Sequence, residues 1–141
     1  MNSTREPDRM PRAGTPYPDF AALLASYSKG VQDTTRAARQ LILALIPGAI
    51  EVVDAKHAVI GYGYGPGYKD MVCTLILSQG GVKLGLLGGA SLPDPRKLLE
   101  GSGKVHRYIP LGRPADLRRP GLRPLLHATL SAWRRKSMAG R

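Results

Sequence analysis

Met71-Val72-Cys73-Thr74-Leu75-Ile76-Leu77, then Ser78-Gln79-Gly80-Gly81, then Val82-Lys83-Leu84-Gly85-Leu86: this stretch reads as a β-hairpin and sets the fold class. The first run is continuously apolar and too short for a globular helix. It therefore predicts a strand covered on both faces. Gly80-Gly81 supplies the backbone freedom of a tight turn, and beyond it apolar residues alternate as in a half-buried strand.

Outward from the hairpin, Glu51-Val52-Val53-Asp54 and Ala58-Val59-Ile60 predict two short strands. Gly61 to Tyr68 is too rich in glycine for a regular element. Further upstream the period becomes helical. Asp19 stands as N-cap ahead of Phe20, Leu23, Leu24 and Tyr27, and Gln32 to Ile46 presents Ala38, Leu41, Ile42 and Leu45 on one face. Pro47-Gly48 stops that helix. Downstream, Pro93 to Leu99 predicts a short helix and Lys104 to Leu111 a last strand. Leu122, Leu125, Leu126, Thr129, Leu130 and Trp133 form the stripe of a final helix, which begins near Gly121 because Pro124 fits only a first turn. The order predicts a two-layer α+β domain, an antiparallel sheet of about five strands with helices packed on one face. A disordered arm is expected over residues 1–18, the domain over 19–135 and a basic tail over 136–141.

At 141 residues and 43% hydrophobic content the chain has room for one domain with an ordinary core. No apolar run is long enough to cross a bilayer, and a single cysteine excludes an internal disulfide framework, so the reading is cytoplasmic without a membrane partner. The net charge is +11, and residues 91–141 hold 12 of the 21 Lys and Arg against the acids Asp94, Glu100 and Asp116. That asymmetry points to an anionic partner.

No catalytic constellation stands out. His57, His106, His127 and Cys73 lack ligand spacing, so neither a metal nor a cofactor is expected. Cys73 lies mid-strand, where cysteine behaves as a small hydrophobe. The Gly61–Gly67 run lacks the Gly-Lys-Ser/Thr ending of a phosphate loop. Two binding surfaces remain. The first is an anion pocket of Lys83 and Arg107 with Lys104 at its rim and Tyr62 and Tyr64 beside it. The glycine run itself reads first as a kinked strand end or hairpin in which Tyr62 and Tyr64 pack against the sheet, and otherwise as a pocket walled by Tyr62, Tyr64 and Tyr68. Alternation places Arg107 on the core side of its strand, so the competing reading is a structural ion pair with Glu51 or Asp54. The second surface is the outer side of the last helix, where Arg123 and Arg134 follow Arg118 and Arg119. Weak, sequence-independent nucleic-acid binding is the partner this face predicts. The oligomeric state stays open.

Gly88-Gly89-Ala90-Ser91-Leu92-Pro93-Asp94-Pro95, followed by Leu98-Leu99-Glu100-Gly101-Ser102-Gly103-Lys104, resembles the signature of the YdhG-like family of bacterial domains. Val82–Leu86 ahead of it, Val105-His106-Arg107 behind it and Glu51–Asp54 upstream fit the same pattern, and the resemblance spans residues 19–134. It implies a frataxin-like α+β shape and no general activity. For some relatives it implies iron delivery, which needs an acidic ridge of oxygen ligands. Here the ten acids form no run. The resulting expectation is a non-enzymatic domain that binds an anionic small molecule or partner, with a frataxin-like iron chaperone as the alternative.

Overall fold

The computed structural model describes residues 18–139. The arm expected over 1–18 lies outside the described residues except for Pro18, which opens helix α1 (Pro18–Leu24). Helix α2 (Lys29–Leu45) follows, then strands β1 (Ile50–Asp54), β2 (Val59–Gly63), β3 (Met71–Ser78), β4 (Gly81–Leu86) and β5 (Arg107–Leu111). Helix α3 (Leu122–Ala139) comes last and runs through residues 136–139 of the expected tail. Short 3₁₀ turns lie at Tyr68–Asp70, Gly89–Ser91 and Pro114–Arg118.

Helix α2 starts three residues earlier than its apolar period predicts. The Ser28 hydroxyl accepts from the Val31 amide at 3.3 Å, so Ser28 caps the helix instead of merely ending α1. At the other end Gly48 takes φ +75° after Pro47, and the chain turns into the sheet.

The five strands form one sheet in the order β1-β2-β3-β4-β5, every pair antiparallel. Register aligns Val53, Ile60, Leu75, Leu84 and Ile109 in one row across it. The four of these on β2 to β5 are fully buried with Phe20, Leu24, Ala38, Ile42, Leu122 and Leu126, which makes this the face that carries the helices. The chain is thus the two-layer α+β domain that its periodicities predict. No helix among the described residues is long and apolar enough to cross a membrane.

Two expectations fail. Beyond its start, where Met71 and Val72 are both buried, strand β3 is covered on one face only: Thr74 and Ile76, which alternate with the buried Cys73, Leu75 and Leu77, are half-buried on the opposite side. An apolar run therefore overstated burial, because a β-branched side chain suits a pleated surface whether or not anything covers it. The helix expected over Pro93–Leu99 is a loop. The Asp94 carboxylate accepts from the amides of Leu98 and Leu99, both at 2.9 Å, and Lys97 takes φ +55°. Prolines at 93 and 95 have no amide to give a helix, and the aspartate offers the backbone a better local partner.

Candidate functional site

The site is built on the uncovered face of the sheet. Register sets Val52, Gly61, Thr74, Gly85 and Tyr108 side by side there, with Val59, Ile76, Lys83 and Pro110 in the adjacent row. Glycines on both sides of Thr74 lower the surface. A Cβ on Gly85 falls 2.5 Å from Thr74 Oγ1, and one on Gly61 falls 2.6 Å from Met71 Sδ, so neither position admits a side chain as the neighbours stand. The result is a groove of about 270 Å³ whose lining includes Val59, Thr74, Ile76, Tyr68, His106 and Tyr108. No carboxylate is among the lining residues.

One rim is cationic and aromatic. Lys83, offset by one from the apolar alternation of β4, lies with Nζ 4.5 Å from the centre of the Tyr108 ring. Tyr108 is held in place through its backbone, which exchanges two hydrogen bonds with Glu100 at 2.7 and 3.1 Å. His106 Nδ1 accepts from the Gly88 amide at 2.9 Å, which leaves the ring proton on Nε2 as a free-standing donor. The Tyr68 ring meets His106 edge-on at 5.8 Å. Tyr68 is 66% exposed and Val105, next to His106, 55%, so two of the three large apolar side chains most exposed among the described residues lie at or beside this rim.

Of the residues expected at an anion pocket, Arg107 is among the groove's lining residues, Lys83 meets the groove only through the Tyr108 ring, and Lys104 is exposed two positions before His106. Arg107 keeps the core-side parity expected of it, yet the ion pair with Glu51 or Asp54 does not form. β1 and β5 are opposite edges of the sheet, about 19 Å apart at four strand spacings. The Arg107 guanidinium turns back instead to the carbonyl oxygen of His106, with Nη1 at 3.2 Å. Glu51 has a different cation, Arg39 of α2.

Tyr62 and Tyr64 are not at the groove. Strand parity turns Tyr62 to the helix side, fully buried, where its hydroxyl donates to Glu51 Oε2 at 2.7 Å. Burial first, then the Glu51 charge, pushes that phenol well above its ordinary pKa. Tyr64 leaves the sheet after a register shift at Tyr62/Gly63, stacks on Trp133 at 5.0 Å and donates to the Pro47 carbonyl at 2.7 Å. The aromatics that do line the groove include Tyr108 and His106, which sequence reasoning left out of the site. The signal was present: alternation already set them on the face opposite Ile109.

The second expected surface is assembled by α3. Arg123 and Arg134 are exposed on this helix, Arg118 is exposed just ahead of it and Arg119 is half-buried there. None of the four belongs to an ion pair among the described residues. Trp133, on the inner side, donates from Nε1 to the Lys69 carbonyl at 3.3 Å and ties the β2–β3 connection to the helix.

Cys73 is fully buried and its thiol is pushed far up by desolvation, so no thiolate is on offer. Among the described residues no three His, Cys, Asp or Glu side chains gather as a metal site. Comparison with protein-family models, with curated proteins and with solved structures returns no match.

Proposed function

We propose that this chain is a non-enzymatic binding domain whose groove on the open face of the sheet takes an amphipathic anion, a flat apolar body bearing a carboxylate, sulfonate or phosphate. The observation that carries this reading is an apolar, carboxylate-free groove lined by His106 and Tyr108, with the Lys83 ammonium lying on the Tyr108 ring. An apolar floor with a few polar groups at its margin is the usual composition of a small-molecule site. Thr74 and Gly85 floor a surface low enough for a planar body, Tyr68 and Tyr108 offer ring faces, and the ammonium offers a charge-assisted hydrogen bond.

The resemblance to YdhG-like domains agrees with this reading, because it implies a fold of this kind without a general activity. Its other implication, iron delivery, calls for clustered oxygen ligands. Calorimetric titration with ferrous iron is expected to show no stoichiometric site of micromolar affinity, and finding one would replace the present reading.

The direct test uses 8-anilinonaphthalene-1-sulfonate as the probe. Its fluorescence titration should saturate at one site, and Lys83→Glu and Tyr108→Ala should each weaken binding by about tenfold, the worth of one such contact. Circular dichroism checks that both variants keep the fold. Unsaturable binding, or binding indifferent to both substitutions, would overturn the proposal.

A further inference from the structure

The start of α3 gathers arginines from two distant segments, which the sequence alone does not show. Gly121 takes φ +95°, and a Cβ there falls 2.7 Å from Cγ of Arg96, so the stem of Arg96 lies directly on the backbone at the head of the helix. Arg119 and Arg123 stand two positions to either side of Gly121, and the Leu122 amide closes that turn onto the Arg119 carbonyl at 3.2 Å. Arg118 precedes them. Four arginine side chains therefore start from the chain near Gly121, and none is ion-paired among the described residues.

Fold stability does not account for this arrangement. The first turn of α3 holds no acid, and Arg123 sits where the helix end is already positive, a place that disfavours cations. The nearby Asp116 is committed elsewhere, with Oδ2 accepting from the amides of Gly112 and Arg113 at 2.7 and 3.3 Å. The excess positive charge is left facing solvent.

We infer that this arginine cluster is a docking surface for the phosphate backbone of nucleic acid, separate from the groove and independent of what the groove binds. All four cations are arginine, whose planar fork suits phosphate oxygens better than a lysine point charge. An anionic membrane is the less fitting partner. Interfacial helices set large apolar anchors beside their basic residues, and the large apolar side chain exposed on α3, Met138, lies at the opposite end from the cluster. Recognition through phosphates alone carries no sequence preference.

Fluorescence anisotropy with a short labelled DNA duplex tests this. Neutralising about four phosphates predicts an affinity that falls about a hundredfold between about 50 and 200 mM salt. Arg118→Glu combined with Arg123→Glu should lower low-salt affinity by about tenfold or more and flatten the salt slope. Lys56→Glu, in the β1–β2 turn, changes net charge as much as Arg123→Glu does and should weaken binding far less. The milder Arg118→Gln/Arg123→Gln pair, checked by thermal melting, serves if charge reversal unfolds the protein. Three results would overturn the inference: no duplex binding at low salt, equal losses from Lys56→Glu and Arg123→Glu, or binding to phosphatidylserine vesicles but not to the duplex.

Discussion

Arg39 and Glu51 meet inside the protein, with Nε of one 2.6 Å from Oε2 of the other and side-chain exposures of only 7% and 0%. The same carboxylate oxygen accepts the Tyr62 hydroxyl at 2.7 Å, and the Arg39 guanidinium lies 5.1 Å from the centre of the Phe20 ring. One contact thus joins α1, α2, β1 and β2. Removing one member of a buried pair strands the other, so Arg39→Met is expected to cost about 3–5 kcal/mol in urea unfolding. Adding Glu51→Leu should restore only part of that loss, because it leaves the buried Tyr62 hydroxyl without its acceptor. If Arg39→Met alone proves nearly neutral, solvent reaches the pair.

Two glycines of β2 should respond unequally to alanine. A Cβ on Gly63 falls 2.1 Å from the Asp70 carbonyl oxygen and 2.6 Å from Met71 Cα, both backbone atoms. At Gly61 the obstacle is the Met71 side chain, which swings aside. Gly63→Ala should reach or pass the ~3 kcal/mol upper end of ordinary overpacking, and Gly61→Ala should stay near ~1 kcal/mol. Denaturation midpoints give the ranking directly, and the reverse order would show that the close approach at Gly63 is not kept in solution.

The Asp54 carboxyl is held below its ordinary value by the His57 side chain, with ring Nδ1 at 2.9 Å and the His57 amide at 3.2 Å. A lowered carboxyl pKa adds stability that is complete above the unfolded-state value and fades as pH falls through the lowered one. In a carboxyl-detected NMR titration, His57→Ala should move the Asp54 midpoint upward. A midpoint that stays where it was would assign the shift to the backbone alone.

Cys73 should be silent toward thiol reagents in the native protein, because it is fully buried and its thiol is pushed up by desolvation. Reaction with an aromatic disulfide reagent is expected only at the rate at which the chain unfolds, and it should accelerate with urea. Rapid stoichiometric labelling without denaturant would place the thiol at the surface.

The helices and strands were readable in outline because periodicity is a local property. Leu122 to Leu130 repeat at helical spacing, and Val82 to Leu86 alternate, whatever surrounds them. Partnership is not local. The alternation of β5 put Arg107 on the core side correctly, yet nothing in the chain says that β1 and β5 lie at opposite edges, so Glu51 was matched with Arg107 and not Arg39. The tyrosines divide for a related reason. Tyr62, Tyr64 and Tyr68 lie in one glycine-rich run, but the register shift at Tyr62/Gly63 sends them to three environments: the core, the Trp133 stack and the groove rim. Met71 to Leu77 was read as doubly covered because hydrophobicity marks a strand more reliably than it counts the layers over it.

Every strand pairs only with its neighbours in the chain, so the sheet can be laid down hairpin by hairpin in the order of synthesis. Helix α3 emerges after the whole sheet, and it brings Leu122, Leu125, Leu126 and Leu130 to close the core. Until those residues leave the ribosome, the nascent sheet offers an apolar flank to chaperones and proteases. The protection of this domain therefore arrives with α3, and loss of that helix would be felt as degradation before it was felt as lost binding.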